Sequence, residues 1–202
     1  SAIVMFVLLG KLLETRARKQ LADAVRGLIA LVPKTARRLR GELLEEVASL
    51  LEGQRYSKPV AIVVDVPDGL PELTADATRL RQIVLNLGTN ALKFTVSGEV
   101  ALIARQRDRD LLISVRDTGC GIAEADLPRL FEEFTQVGTH GQERPGSGLG
   151  LSIVQKLTRL HGGHVDVESQ LGRGSVFTVT LPLSRALPTS AEIPLPDDVF
   201  PS

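Results

Sequence analysis

The sequence predicts a globular α+β sandwich, and three observations support that prediction or exclude other classes. Amphipathic helical segments alternate with pairs of short strands joined by tight turns, and no βαβ unit recurs along the chain. Apolar residues make up 43% of the 202 residues and charged residues 24%, a balance typical of a globular domain with a buried core. The single cysteine excludes a disulfide framework and a cysteine-based zinc site.

Charge and composition divide the chain into three segments. Residues 1–41 carry nine basic and two acidic side chains, whereas the rest carries 15 basic and 22 acidic ones. The net charge of zero therefore hides a basic N-terminal arm. Residues 42–184 contain a regular succession of helices and strands. Residues 185–202 contain four prolines, which indicates a flexible tail.

The arm is predicted to be helical. Its first block, Ala2–Leu13, is apolar but too short to cross a bilayer, which takes about 20 apolar residues. This block fits the end of a membrane helix and a buried or interfacial helix equally well. A second helical segment, Glu14–Val32, ends at Pro33. Four basic residues follow, namely Lys34, Arg37, Arg38 and Arg40. They could meet anionic lipid or nucleic acid, but a solvated basic face is the commoner explanation, and we expect no nucleic-acid partner.

The first half of the domain is predicted as helix, strand and helix. Apolar residues at helical spacing predict a first amphipathic helix over residues 43–53. The β-branched run Val60–Val66 predicts a strand, and Pro67-Asp68-Gly69 predicts the turn that closes it. Asp76–Phe94 has the strongest helical periodicity and predicts a second amphipathic helix.

The second half is predicted as two pairs of strands with two helices between them. In chain order these are strands Gly98–Gln106 and Leu111–Arg116, helices Glu124–Phe131 and Leu149–Leu160, and strands His164–Ser169 and Ser175–Leu181. The charged turn at residues 107–110 joins the first pair of strands. A glycine-rich loop that ends near Ser147 separates the two helices.

The helix predicted over residues 76–94 has one apolar and one polar face. The polar stripe, at spacings of three and four, consists of Arg79, Gln82, Asn86, Asn90 and Lys93. This stripe is either ordinary solvent-facing polarity or part of a ligand site. Asparagine and glycine are poor helix formers in the middle of a helix, and here Asn86, Gly88 and Asn90 occur close together. Several residues of low helix propensity in one helix hint at a functional site. Amide oxygens suit a hard cation such as Mg²⁺, and lysine suits a phosphate.

Two glycine-rich segments adjoin regular elements. Asp117-Thr118-Gly119-Cys120-Gly121 directly follows a strand. It is either a capped glycine turn or a carboxylate placed to accept a hydrogen bond from a ligand amino group, with the glycines allowing a close approach. Gly146-Ser147-Gly148-Leu149-Gly150 opens a helix, where backbone N–H groups bind anions readily. It is not a P-loop, because the pattern GxxxxGK(S/T) is absent, and Leu151 stands where a dinucleotide fingerprint needs its third glycine.

Taken in order, these segments resemble the catalytic and ATP-binding domain of sensor histidine kinases, a member of the GHKL ATPase superfamily. Five motifs carry the resemblance, namely DATRLRQIVLNLGTNALKFT, DTGCGI, FEEFTQV, GSGLGLSIV and GRGSVFTVTLP. Their order and spacing are far more specific than any one of them. The resemblance covers residues 43–183 and implies a two-layer α/β sandwich with a mixed sheet packed on helices.

The resemblance also implies roles for individual residues. Asn90, with Asn86, would hold Mg²⁺ bridging the ATP phosphates, and Lys93 would contact those phosphates. Asp117 would accept a hydrogen bond from the adenine amino group. Gly119 and Gly121 would shape the base pocket. Phe131 and Phe134 would start a mobile lid that runs to Gly146 and carries Arg144. The remaining ATP-binding positions would be Gly148, Leu149 and Gly150 after the lid, and Gly172 and Gly174 at the turn into the last strand.

The activity that the resemblance implies is phosphoryl transfer from Mg·ATP to a histidine. In the family the acceptor lies on an upstream dimerisation helix, and no histidine precedes His140 in this sequence. We therefore expect the chain to bind Mg·ATP without phosphorylating itself on histidine. Its expected partners are a histidine-bearing dimerisation domain and a response regulator. A GHKL nucleotide-binding regulatory module without transfer activity remains an alternative.

Residues 2–42 resemble a second family, the heavy-metal-transporting P-type ATPases. The matching stretch is VMFVLLGKLLETRARKQLADAVRGLIALVPKTARRLRGE, which in that family joins a membrane helix to the actuator domain. The TGE, DKTGT and Cys-Pro-Cys motifs that carry the family's chemistry are absent, so the resemblance implies an ancestry for the arm and not ion pumping. A fragment of such a transporter is a further alternative. The expected location is the cytoplasm, with the arm as a candidate for membrane contact at the inner face of the cell membrane.

Overall fold

The computed structural model describes residues 37–39, 42–56, 58–71, 73–135 and 148–183. The elements in chain order are β1 (Arg37–Leu39), α1 (Glu42–Gln54), β2 (Val60–Asp65), β3 (Leu73–Ala75), α2 (Ala77–Phe94), β4 (Gly98–Arg107), β5 (Asp110–Asp117), a 3₁₀ helix (Glu124–Arg129), α3 (Gly150–Leu160), β6 (His164–Gln170) and β7 (Gly174–Pro182). The predicted arm helices and the tail lie outside the described residues. In the part of the chain that is described, no helix has the length and hydropathy needed to span a bilayer.

Five of the strands form one mixed sheet in the order β2-β4-β5-β7-β6. Strands β4 and β5 and strands β6 and β7 are antiparallel hairpins, β5 and β7 join the two hairpins, and β2 lies parallel to β4. The parallel pair needs a crossover, which α2 supplies between β2 and β4. This topology confirms the predicted α+β class with a mixed sheet.

The core lies between one face of this sheet and the helices. Strand β5 alternates between buried and partly buried positions, as expected where only one face of a sheet is covered. Its inward residues Leu111, Ile113 and Val115 are at most 7% exposed. Helix α2 supplies the largest apolar stripe opposite the sheet, with Leu80, Ile83, Val84, Leu87 and Ala91 buried. Each fully buried aliphatic side chain of this kind contributes about 1.5–3 kcal/mol relative to an exposed one.

Gly88 has a packing role that its position in the sequence did not reveal. A Cβ atom at this position would lie 2.6 Å from Cδ1 of Leu51, which is fully buried on α1. The glycine therefore lets α1 and α2 approach each other closely. The poor helix former that the sequence analysis counted as a hint of a site is explained by this contact between helices.

Two elements differ from the sequence-based expectation. The predicted helix Glu124–Phe131 is a shorter 3₁₀ helix that contains Pro128. Proline has no backbone N–H and disfavours a continuing α-helix, whereas a short 3₁₀ segment tolerates it. The small sheet of β1 and β3, with Arg37 opposite Ala75 and Leu39 opposite Leu73, was not predicted. Strands of three residues are too short to show a period-2 pattern.

Lys58 caps the C-terminal end of α2. Its Nζ donates to the carbonyl oxygens of Leu92 at 2.8 Å and Thr95 at 3.3 Å, where helix carbonyls lack partners within the helix. We expect Lys58→Ala to lower the free energy of unfolding by about 0.5–1 kcal/mol in urea titrations. Lys156→Ala is the control, because Lys156 makes only an exposed ion pair with Glu133 among the described residues. An equal loss in both variants would contradict the capping role.

Candidate functional site

Asp117 ends β5 with its carboxylate buried at the edge of the core. The residue is 6% exposed, and its Oδ1 accepts a hydrogen bond from the backbone N–H of Gly119 at 2.8 Å. The backbone N–H of Ser175 on β7 also donates to this carboxylate. Burial raises the pKa of Asp117 above its ordinary value of 3.8, although both hydrogen bonds act in the opposite direction. The loop and the neighbouring strand thus hold a buried acceptor in a fixed position.

The glycines after Asp117 let the loop touch other main-chain segments. A Cβ atom on Gly119 would lie 2.6 Å from the carbonyl oxygen of Phe94, at the end of α2. On Gly121, which has a φ of +67°, it would lie 2.0 Å from the carbonyl oxygen of Gln170. The loop is therefore packed between the end of α2 and the turn that joins β6 to β7.

The β6–β7 turn adds further contacts to this loop. The backbone N–H of Gly172 donates to the carbonyl of Cys120 at 2.7 Å, and a Cβ atom on Gly174 would lie 2.0 Å from the carbonyl oxygen of Asp117. By contrast, a Cβ atom on Gly172 would meet no atom of the described residues within 4 Å. Gly174 therefore permits a close approach to Asp117, whereas Gly172 serves the turn, where its φ is +78°.

Two serines that the sequence analysis did not single out join the same region. Ser169 Oγ lies 2.8 Å from the backbone N of Ile122, which donates to it, and 2.9 Å from Ser175 Oγ. The two serines lie six positions apart, and the antiparallel pairing of β6 with β7 places them opposite each other. This contact depends on the strand register, so no local pattern in the sequence could indicate it.

The polar stripe of α2 is not an ordinary solvent-exposed face. Arg79 is 8% exposed, and the other four members, Gln82, Asn86, Asn90 and Lys93, are partly buried. The Nδ2 atom of Asn86 is buried and has no hydrogen-bond partner among the described residues. Lys93 Nζ lies 5.0 Å from the centroid of the Phe94 ring, within the range of a cation–π contact. Buried amide groups that are not fully satisfied are typical of positions that meet a ligand or water.

Helix α3 begins beside this stripe. A Cβ atom on Gly150, the first residue of α3, would lie 3.6 Å from Nδ2 of Asn90. Leu149, at the N-cap position, offers no side-chain oxygen to the first-turn N–H groups of α3. The structure thus places a helix N-terminus, where anions bind favourably, next to the asparagine stripe.

The residues on either side of the predicted lid are in contact. A Cβ atom on Gly148, which has a φ of +68°, would lie 2.9 Å from the carbonyl carbon of Phe134. Phe134 itself has a φ of +63° and is 49% exposed, whereas Phe131 is partly buried against the core. Arg144 and Gly146 lie outside the described residues.

The predicted residues thus gather at two connected places. At one of them, Asp117 meets Gly119 and Gly174, and Gly121 of the same loop packs on Gln170. At the other, Asn90 meets Gly150. The contact of Gly119 with the end of α2 joins the two places. The buried acceptor lies beside the C-terminal end of α2, and the N-terminus of α3 lies beside Asn90, about one turn before that end. Such a pair can receive a ligand that carries an amino group at one end and an anionic group at the other.

A protein-family model described as histidine kinase-, DNA gyrase B- and HSP90-like ATPase matches residues 75–185. The chain belongs to this family. The match covers the segment from Asp76 through β7, and therefore both places where the predicted residues gather.

Relatives within the family are histidine kinases. The histidine protein kinase DivJ of Caulobacter vibrioides is 42% identical over 156 residues, which are 77% of this chain and 26% of DivJ. The sensor histidine kinase RcsC of Escherichia coli is 46% identical over 118 residues, which are 58% of this chain and 12% of RcsC. The chain thus spans only a minor part of the length of either relative.

Solved structures agree with this assignment. Full-length ShkA in complex with AMPPNP is 38% identical with a TM-score of 0.68, over 78% of this chain and 33% of ShkA. The nucleotide-free catalytic domain of the histidine kinase ThkA is 28% identical with a TM-score of 0.63, over 74% of this chain and 95% of that domain. The sequence of this family member has the motifs, and its described residues have the fold, of the ATP-binding catalytic domain of sensor histidine kinases.

Proposed function

We propose that this domain binds Mg·ATP at the site described above and transfers the γ-phosphoryl group to a histidine outside the residues of this sequence. One observation carries the proposal, namely that a buried carboxylate and an asparagine-lined helix N-terminus lie at connected places in one domain. The carboxylate suits an amino group of a base, and the helix N-terminus suits phosphates.

Asp117 would recognise the base. Its carboxylate is held by the N–H groups of Gly119 and Ser175 and keeps further lone pairs for a ligand donor. Gly119 and Gly121 would shape the pocket wall, since both pack without a side chain against neighbouring main chain. The exocyclic amino group of adenine is the donor that such an acceptor favours.

The phosphates would lie between α2 and the start of α3. Asn90 adjoins Gly150, and Lys93 lies one turn further along α2. Backbone N–H groups after Gly148 and Leu149 would bind phosphate oxygens, and Arg144 and Gly146 would complete the contact from the lid. Phe131 and Phe134 would anchor the first end of the lid, and Gly172 and Gly174 would keep the β6–β7 turn against the base pocket.

The residues present fit Mg²⁺ as a cofactor that arrives with the nucleotide. Asn86 and Asn90 offer neutral amide oxygens, and the stripe contains no carboxylate. Mg²⁺ in nucleotide sites is held chiefly by phosphates and water with a few protein oxygens, so this donor set suits Mg·ATP and not the free ion. When bound, the metal neutralises charge on the phosphates. The two asparagines would hold and orient it.

The transfer itself would need other components. The sequence has three histidines. His140 falls in the predicted lid, His161 directly follows α3, and His164 is the first residue of β6. The acceptor would be a histidine on a dimerisation domain, and a response regulator would receive the phosphoryl group. We propose a cytoplasmic location for the domain, with the basic arm at the inner face of the cell membrane.

Two measurements test the proposal. We expect isothermal calorimetry to detect ATP binding that depends on Mg²⁺, and no binding of MgCl₂ alone. Asn90→Ala should reduce the Mg²⁺-dependent part of the affinity by about tenfold or more, the loss of one interaction with a charged group. Thr89→Ala is the matched control, because Thr89 is the exposed neighbour on the same helix. Equal effects of the two substitutions would contradict the assignment of Asn90.

The second measurement separates the kinase from a nucleotide-binding module. The chain is incubated with radiolabelled Mg·ATP, alone and with a histidine-bearing dimerisation domain in trans. We expect acid-labile, base-stable phosphate only in the mixture, and only on the added domain. Binding without transfer would favour the module, and such phosphate on the chain alone would overturn the expectation that it lacks an acceptor histidine.

A further inference from the structure

A row of three polar residues crosses the helix-facing side of the sheet beside the glycine loop. The strand register pairs Asp117 on β5 with Ser175 on β7, and Ser175 with Ser169 on β6. Side chains that are directly opposite on antiparallel strands lie on the same face. The next row on this face is wholly apolar, with Val115, Phe177 and Val167. Asp117 and Ser175 are 6% and 5% exposed, so this polar row is largely withdrawn from water.

The hydrogen bonds of Ser169 determine where its hydroxyl hydrogen points. The backbone N–H of Ile122 at 2.8 Å can only donate to Ser169 Oγ. The carbonyl of Gly174 at 2.9 Å can only accept, so it takes the single hydrogen of Ser169. The third contact is with Ser175 Oγ at 2.9 Å. Because the hydrogen of Ser169 is already used, Ser175 must donate its own hydrogen to Ser169.

The donation from Ser175 to Ser169 also determines where the Ser175 hydroxyl hydrogen points. With its hydrogen turned toward Ser169, Ser175 Oγ offers only lone pairs to any other group. Its neighbour in the row, the Asp117 carboxylate, also offers only lone pairs when it is ionised. The two groups therefore form a pair of acceptors at the base end of the site, and Ser169 keeps the pair from becoming a mixed donor and acceptor.

We propose that Ser169 is a positioning residue that fixes the Ser175 hydroxyl as an acceptor and thereby makes the site select bases with an exocyclic amino group. The inference rests on the proposed nucleotide binding and deepens it. An amino group at position 6 of a purine brings two donors to two acceptors. A carbonyl oxygen at the same position is itself an acceptor. It would face the two acceptors of the site without a donor between them, so binding of such a base is disfavoured.

Ser169 also fixes the position of the loop that follows Asp117. Its bond to the N–H of Ile122 joins β6 to that loop, and its bond to Gly174 joins it to the start of β7. Removal of the Ser169 hydroxyl would leave the N–H of Ile122 without this acceptor and would free the hydroxyl of Ser175 to rotate. Loss of packing alone would affect all nucleotides equally, so base selectivity is the readout specific to the proposed role.

The test compares the affinities of ATP and inosine triphosphate, which has a carbonyl in place of the amino group, by calorimetry with Mg²⁺. We expect wild-type protein to prefer ATP, and Ser169→Ala to lower that preference roughly three- to tenfold, the worth of one neutral hydrogen bond. Ser169→Thr, which keeps a hydroxyl, should retain the preference. Ser114→Ala is the matched control, because it deletes a hydroxyl pair with Thr178 at 2.9 Å on strands β5 and β7, on the other face of the sheet.

Each outcome decides between the alternatives. An unchanged preference in Ser169→Ala, or an equal change in Ser114→Ala, overturns the inference and leaves nucleotide binding intact. Wild-type protein that binds neither nucleotide overturns the proposed function and this inference with it. Should Ser169→Ala fail to fold, Ser175→Ala provides the same comparison, since it removes the hydroxyl in question and should also lower the preference for ATP.

Discussion

Gly121→Ala is expected to lower the free energy of unfolding by about 3 kcal/mol or more, a large part of the 5–15 kcal/mol typical of a domain. Two costs combine at this residue. Its φ of +67° is left-handed, which costs a residue with a Cβ about 1–2 kcal/mol. The new methyl group would also lie 2.0 Å from the carbonyl oxygen of Gln170, which belongs to a paired strand and cannot move cheaply. Urea unfolding measures the loss.

Gly172→Ala is the matched control for this substitution. Gly172 lies in the β6–β7 turn close to Gly121 and has a φ of +78°. In the part of the chain that the structure describes, no atom lies within 4 Å of its ideal Cβ position. Only the conformational cost applies there, so we expect a loss of about 1–2 kcal/mol. If the two variants lost equal stability, the close packing of the glycine loop on β6 would be contradicted. The difference between them isolates the cost of the contact.

Long elements with a clear period could be predicted from the sequence. The 18-residue helix α2 shows both its apolar face and its polar stripe at a spacing of three and four. The strands of the two hairpins end within two residues of the predicted positions, since alternation and turn residues mark them. Asn90 and Asp117 could be named as candidate site residues because each lies at a fixed place within a motif.

Features that depend on contacts between distant segments could not be predicted. The pairing of Ser169 with Ser175 requires the register of β6 on β7, which short-range patterns do not fix. The close approach of Gly88 to Leu51 depends on how α1 and α2 pack against each other. The burial of Arg79 depends on the residues that surround it in the folded domain. The same glycine can mark a turn, a ligand or a helix contact, and only the fold decides among them.

Asp117→Ala is expected to weaken ATP binding by about 100-fold, because it removes a hydrogen bond to a charged acceptor and leaves the base amino group unpaired. Calorimetry with Mg²⁺ measures the loss. Asp110→Ala is the control, since Asp110 begins the same strand β5 at its far end. A similar affinity in the wild type and in Asp117→Ala would overturn the placement of the base beside this carboxylate.

The pH dependence of Asp117 provides a second test of the same residue, in which binding and stability respond in opposite directions. Because burial raises the pKa of Asp117 above 3.8, the folded domain holds this proton more tightly than the unfolded chain does. Its contribution to stability is therefore present at low pH and lost as pH rises through the folded pKa. ATP affinity should instead rise over that range, because the ionised carboxylate is the better acceptor.

Urea unfolding and calorimetry at several pH values from 4 to about 7 measure the two trends. The protonation of ATP itself cancels in the comparison with Asp117→Ala, which should lose this part of both dependences. Trends of the same sign would show that the buried carboxylate is not the titrating group. Opposite trends would mean that the ionised carboxylate favours ATP binding but lowers the stability of the domain. This is expected where a group is buried because it binds a ligand and not because it stabilises the fold.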